Sequence, residues 1–266
     1  MANNEHLALL KQGAVQWLEW RKNNIQIKPD LSEADLSAAN FRGANLMAVN
    51  LRKAELSQTK LIAANLTKAN LNAANLYKSE LIDANLQQVE LVDAQLIEAQ
   101  LTGANLSYAN LIGADLKSAD LRRVDLSYAN LIATELRWAN LKEADLSMAD
   151  LRRANLSYAN LMAANLNNAN LSQANLYEAE LIGSQLYMAN LDQVNLSEAH
   201  LHGAYLFAAN LSRANLDQAD LRWTNLSKAN FTGANLSRAN FTGANLSQVD
   251  FTKANLSKAN FQDAIM

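Results

Sequence analysis

The chain contains no cysteine, which excludes disulfides, thiolate nucleophiles and thiolate metal sites and says nothing about redox compartment. It has one proline, Pro29, placed where no ladder donor is required. No apolar run approaches the ~18 residues of a membrane-spanning helix, and no membrane association is expected. The first residues, Met1-Ala2-Asn3-Asn4-Glu5, lack the basic and apolar regions of a signal peptide, so a cytoplasmic protein is expected. Neither sign of charge dominates: 23 Lys and Arg face 26 Asp and Glu, for a net charge of −3. Such a balance gives no bulk field to attract nucleic acid or an anionic membrane, so no nucleic-acid partner is expected. No Ser–His–Asp arrangement, phosphate-cradling glycine loop or carboxylate pair in a cleft is legible. The expectation is therefore no catalysis and no cofactor.

What the chain does contain is a period of five. From Leu31 to Phe261 every fifth residue is Leu or Phe, at 47 positions without a gap. Two residues earlier stands a small residue, usually Ala (Ala34, Ala39, Ala44), and one earlier usually Asn or Asp (Asp35, Asn40, Asn45). Five fits neither regular period. On an α-helix each step of five turns the side chain by about 140° net, so the Leu residues would spiral around every side. In a straight strand an odd spacing sends successive Leu residues to opposite faces. The chain must turn about once per unit to keep every Leu on one side. That winds a coil with Leu and Ala inside, and fixed-period repeats of this sort are the mark of solenoids.

The A-[N/D]-L-x-x units, Ala34-Asp35-Leu36, Ala39-Asn40-Phe41, Ala44-Asn45-Leu46 and onward, resemble those of pentapeptide-repeat proteins. The resemblance covers about nine-tenths of the chain. It implies an all-β solenoid: a right-handed quadrilateral parallel β-helix of twenty residues per coil. The 47 units would then make about twelve coils, roughly 55 Å long at ~4.8 Å per coil. Residues 1–24 are expected to form a helical cap and 25–266 the β-helix. Within the leader, Leu7, Leu10, Ala14, Trp17 and Leu18 recur at spacings of three and four, which predicts one amphipathic helix over 4–23. Asn3 or Asn4 serves as N-cap, and Gly13 weakens the helix interior by about 1 kcal/mol. The helix would cover the first coil's open edge, as solenoid ends require. The alternative is a partner-binding or membrane-surface helix, and its few Lys and Arg argue against the membrane. This helical leader with its Pro29-Asp30-Leu31 start is similar to those of cyanobacterial members of the family.

Seven of the eight glycines fall two positions after the large apolar residue. That position also accepts Arg123, Tyr128 and Trp138, so it lies at a corner and points outward. Thr59, Thr134 and Thr224, and Val at 49, 89, 124, 194 and 249, replace the small Ala, and local bulging or repacking of the coil is expected there. Phe231, Phe241, Phe251 and Phe261 recur every ten residues and would fill opposite sides of the last coils. At the C-terminal edge either Ile265 and Met266 fold over the last coil, or two chains dock end to end. The protein is thus expected to be a monomer or an end-to-end homodimer.

A twenty-residue coil brings outward side chains into columns. Ile62 stacks on Ile82, and Val92 on Ile112 and Ile132; Tyr108 stacks on Tyr128 and Met148, and Trp138 on Tyr158. Such columns stabilise parallel strands by about 0.2–1 kcal/mol per pair; alternatively they form an exposed apolar patch that binds an unknown protein. Charges pair at the same spacing, Glu33 with Lys53, Lys78 with Glu98 and Arg123 with Glu143. Glu180, His200 and Asp220 form one row that could ligate a metal or simply hold a surface His between two carboxylates; no metal is expected. The function expected is a structural or protein-binding scaffold. The rival comes from the resemblance: some members of the family resemble duplex DNA, bind DNA gyrase and confer quinolone resistance. A mimic needs sustained negative charge, whereas residues 115–153 carry seven acidic and seven basic side chains.

Overall fold

The computed structural model describes residues 1–266, the side chain of Ala14 excepted. From Asp30 onward the chain is a rod of stacked coils. The residue before each large apolar one forms a parallel bridge with its counterpart twenty residues later, from Asp30↔Asn50 to Asn245↔Ile265. Each coil thus holds four units and four turns, so the rod is four-sided; its sides are named here by the apolar residue that opens each, Leu31, Leu36, Phe41 and Leu46.

Asn155 to Ala159 shows why the unit reads as it does. The N–H of Asn155 donates to Thr134 of the preceding coil at 2.9 Å, and those of Leu156 and Tyr158 donate to Asn175 and Tyr177 of the next at 2.7 and 2.9 Å. The N–H of Ala159 closes a turn onto the carbonyl of Leu156 at 3.0 Å. The fifth N–H, of Ser157, has no backbone partner; the Oδ1 of Asn155 accepts it at 3.2 Å. Asn and Asp hold this slot because a short side-chain acceptor reaches the N–H two residues on. In two units where the slot holds Glu90 or Gln185 the acceptor comes from the preceding coil: Asn72 serves Val92 at 2.8 Å and Asn167 serves Tyr187 at 2.9 Å.

Asn side chains also bond one another along the rod, 155 to 175, 195, 215, 235 and 255, at 2.9 to 3.3 Å. Asn195→Ala removes two of these bonds and the acceptor of Ser197. It is expected to cost about 1–2 kcal/mol, read as a lower midpoint in urea without loss of the fold.

The second turn residue of every unit has positive φ. Forty of these are not glycine, with φ from 50° to 62°, as the third position of a type II turn requires. Left-handed backbone costs an L-residue about 1–2 kcal/mol. Full burial of each Leu contributes about 1.5–3 kcal/mol, and Leu and Ala of the inner units are 0–1 % exposed. Core burial, with the turn and ladder bonds that come with it, outweighs the corner strain. Glycine at seven corners therefore understates how many adopt this backbone.

The bridges continue without a break past the threonines expected to bulge. Thr59, Thr134 and Thr224 are buried, and each hydroxyl donates to the Leu carbonyl three residues before. The β-branched shape occupies the Ala slot because its one polar group is satisfied on its own turn. The four phenylalanines stack in two columns, Phe231 on Phe251 at 5.6 Å and Phe241 on Phe261 at 5.0 Å, with edges meeting across the core. Ile265 does not fold back over the end; it continues the ladder onto Ala244 and Leu246, and Met266 is exposed. In this last coil Leu256 is 36 % exposed.

The leader forms two helices rather than one: α1, Asn4–Lys11, and α2, Ala14–Asn23. Gly13, at φ +108°, breaks the helix and stands at the N-cap of α2, so its backbone freedom decides more than its propensity. Asn3 caps α1, its Oδ1 accepting from Glu5 and His6. The break rotates the apolar stripe: Leu10 and Trp17 are buried over the first coil while Leu18 is 41 % exposed. The helices also bond the coil's free edge. The N–H of Asn3 donates to Asp30, the indole N–H of Trp17 to Asn45 at 2.7 Å, and the Arg21 guanidinium to Met47 at 2.8 Å. The Nδ1 of His6 accepts from the N–H of Asp30 at 3.1 Å. Burial lowers the pKa of Arg21, yet two carbonyls, Ile27 and Met47, hold its charge.

Candidate protein-docking face

Coil geometry separates the expected surface residues. The bridge ladder through Lys60 and Glu80 carries Ile62 and Ile82, and the ladder through Glu90, Asn110 and Asn130 carries Val92, Ile112 and Ile132. These ladders are half a coil apart, so the two aliphatic columns lie on opposite sides, Phe41 and Leu31. Likewise Tyr108 and Tyr128 belong to the Leu46 side, and Trp138 and Tyr158 to the Leu36 side, again opposite. The expected columns exist: the rings of Tyr108 and Tyr128 stack at 4.9 Å, and those of Trp138 and Tyr158 at 5.9 Å. They do not form one patch. The aliphatic residues are half-buried against their neighbours, whereas the four aromatic ones are exposed, from 41 % at Tyr158 to 54 % at Trp138.

One side differs from the other three. On the Leu46 side the charged residues are Lys68, Asp125, Asp145 and Lys228. The same side carries most of the rod's exposed large apolar residues: Met47, Tyr108, Tyr128, Met148, Tyr187, Met188 and Tyr205. Tyr187 stacks on Phe207 at 5.7 Å, and Tyr205 reaches the same ring at 6.3 Å. At the N-terminal end the exposed Ile25 and Ile27 adjoin Met47. The signal is present in the sequence at a period of twenty rather than five, which separates the columns by side and brings Tyr187, Tyr205 and Phe207 to the side of Tyr108 and Tyr128.

The charged sides are knit by ion pairs. Lys78 meets Glu98 at 3.3 Å as expected, but Glu143 faces Lys142 at 3.9 Å and Glu33 lies 3.9 Å from the N-terminal amine. More pairs form within a unit, Asp120 with Arg122, Asp150 with Arg152 and Asp220 with Arg222, each at 2.6 Å. Hydrogen bonds from Arg122 hold the Asp120 carboxyl below the usual range. Exposed pairs of this kind contribute little, about 0–1 kcal/mol each.

The Glu180–His200–Asp220 row is in place, one residue per coil. Glu180 faces the Nδ1 of His200 at 2.8 Å, while both oxygens of Asp220 take the Arg222 guanidinium at 2.6–2.7 Å. Burial raises the Asp220 pKa, but the bonds from Arg222 outweigh it and leave the carboxyl lowered. Among the described residues no group of three His, Asp or Glu stands close enough to hold a metal ion. No helix among them is long and apolar enough to cross a membrane.

The pentapeptide-repeat family model matches in eight copies, at residues 30–67, 119–157, 159–197, 195–233, 204–243 and 229–266, and the model of a pentapeptide repeat region matches residues 59–131. The chain belongs to the pentapeptide-repeat family. Its fold is accordingly a right-handed β-helix. No curated protein matches the chain. Among solved structures it is similar to HetL, a pentapeptide-repeat protein involved in heterocyst differentiation regulation from the cyanobacterium Nostoc sp. strain PCC 7120, at 33 % identity over 93 % of this chain and 95 % of that one, with a TM-score of 0.35. Rfr23 from the cyanobacterium Cyanothece 51142 is 37 % identical over 38 % of this chain and 63 % of its own, with a TM-score of 0.22. QnrB1, a plasmid-mediated fluoroquinolone resistance protein, is 21 % identical over 81 % of this chain and 86 % of its own, with a TM-score of 0.35.

Proposed function

We propose that this pentapeptide-repeat protein is a non-catalytic scaffold, a rigid rod of about twelve coils capped by residues 1–24, that docks a partner protein along its Leu46 side. The observation that supports this is the coincidence, on one side, of scarce charge with exposed Tyr and Met. Protein-binding surfaces are depleted in charge at their centre and enriched in aromatic residues and Met, and large exposed apolar patches mark interaction sites. Stacked Tyr108 and Tyr128 are already ordered in the free rod, so docking on them costs little side-chain entropy. The partner that fits is a low-charge protein surface with apolar side chains.

Four variants test the reading, one per side: Tyr108→Ser with Tyr128→Ser; Trp138→Ser with Tyr158→Ser; Ile62→Ser with Ile82→Ser; and Ile112→Ser with Ile132→Ser. Capture of one specific protein should weaken about 30-fold in the Tyr108/Tyr128 variant, as for a lost hot spot of ~2 kcal/mol, and hold in the other three. Loss only in another variant would move the face there, and equal capture by all four would remove lateral docking. The charge map supports a scaffold over a duplex-DNA mimic, because acidic and basic residues interleave along the charged sides. DNA gyrase supercoiling should be unchanged by excess protein.

The same reading includes pairing of two rods through the 246–265 edge. There the N–H groups of Phe251, Lys253, Leu256, Lys258 and Phe261 have no hydrogen-bond partner, and Leu256 is part-exposed. Sedimentation should show a concentration-dependent dimer, and a monomer at every concentration would remove the pairing.

A further inference from the structure

We propose that the first coil, over residues 35–42, is a docking site for one extended segment of a partner protein, which adds a further parallel rung to the ladder. The cap helices close only part of this edge. Their hydrogen bonds reach Asp30, Asn45 and Met47, on the Leu31 and Leu46 sides. On the Leu36 and Phe41 sides the N–H groups of Asp35 and Asn40 and the carbonyls of Asp35, Ser37, Asn40 and Arg42 have no hydrogen-bond partner. Asp35, Ser37 and Asn40 line a cavity of about 370 Å³, together with Leu10, Lys11, Gly13, Leu36 and Phe41.

The occupant is specified by what the same positions bind one coil further on. The N–H groups of Glu55 and Lys60 donate to the carbonyls of Ala34 and Ala39, at 3.0 and 2.9 Å. The carbonyls of Glu55, Ser57, Lys60 and Ile62 accept from Leu36, Ala38, Phe41 and Gly43, at 2.8–2.9 Å. A ligand that satisfies the first coil must therefore offer two acceptors and four donors at the same spacing. That describes about ten residues that run parallel to 35–42 and follow its corner at Ser37 and Ala38, as every coil of the rod follows the one before it. Recognition by an exposed sheet edge works in this way: main-chain bonds supply affinity and alternate side chains supply specificity.

Leu10, Leu36 and Phe41 are themselves buried and line the cavity, so any side chain of the segment that turns inward enters that cavity and must be apolar. Lys11 and Asp35, of opposite charge, line the same cavity, which favours a segment without net charge there. A second rod end does not fit, because α1 and α2 stand over the other two sides of this coil and would meet it first. The occupant is thus a single segment, not another copy stacked coil on coil. This site is separate from the Leu46 side and does not depend on the lateral docking proposed above.

The test uses the full chain and a synthetic peptide copying residues 229–240 with the change Arg238→Gln, acetylated and amidated, which holds two complete units, no charged side chain and glycine at one corner. It should bind, protect the amides of Asp35 and Asn40 from hydrogen exchange, and shift the resonances of residues 10–13 and 35–42. The same peptide N-methylated at the amides equivalent to Phe231 and Leu236 loses two donors and should bind about tenfold more weakly. Equal binding of the methylated peptide, a footprint on the 246–265 edge or on any side of the rod, or no binding at about 1 mM, would each overturn the proposal.

Discussion

Trp17→Ala is expected to destabilise the N-terminal end of the rod by about 3–5 kcal/mol, the cost of emptying a buried aromatic site. Trp17 is 0 % exposed, stacks on Trp20 at 5.4 Å and donates to Asn45 at 2.7 Å. Three effects therefore combine: a cavity over the first coil, a freed Asn45 carbonyl, and loss of the ring that seats α2. Trp17→Phe separates them. It keeps most of the packing and removes the indole donor, so it should cost about 1 kcal/mol. Uncapping also opens a sheet edge, and open edges recruit other chains. The Ala variant should accordingly elute larger on size exclusion as well as melt earlier, while the Phe variant should elute as the parent does. A Trp17→Ala protein as stable as the parent would show that α1 and α2 sit on the rod without stabilising it.

How far the sequence revealed this molecule depends on the length scale. The Leu–Phe period carried the solenoid, because a core residue at every fifth position leaves one geometry. The cap's existence was legible from Leu10 and Trp17, but its break was not: helix propensity assigns Gly13 a modest cost, whereas its φ of +108° answers to the two helices having to meet the coil at Asp30 and Asn45. Thr59, Thr134 and Thr224 were expected to bulge or repack the wall; the bridges run past them without a break, because each hydroxyl finds a carbonyl within its own turn, which no composition rule reveals. The corner backbone was legible at the seven glycines and hidden at forty other residues, where burial and hydrogen bonding override an intrinsic preference. The docking face lay at the longest period. Tyr108 and Tyr128 stood out as aromatics, but their company on a charge-poor side, and the separation of Ile62 from Ile112 by half a coil, required the bridge register.

Leu141→Ala should cost about 2–5 kcal/mol, and Leu256→Ala, the same substitution in the same repeat slot, less than about 1 kcal/mol. Leu141 is fully buried between coils bridged at Asp120↔Asn140 and Asn140↔Asn160. Leu256 lies in the last coil, 36 % exposed, with no coil beyond it in the structure. The contrast isolates packing from propensity, since both residues have identical roles in their units. It also tests how the rod holds together. A solenoid's stability is the sum of repeat terms and nearest-neighbour interfaces, so a cavity at Leu141 weakens the coupling between the halves before and after it. Urea unfolding of the Leu141→Ala rod should then broaden or split into two transitions. Amide exchange should accelerate on one half before the other, whereas the Leu256→Ala rod should unfold in one transition with faster exchange confined to residues 246–265. A single sharp transition shifted equally in both variants would mean that the rod unfolds as one unit and that position along it carries no energetic weight.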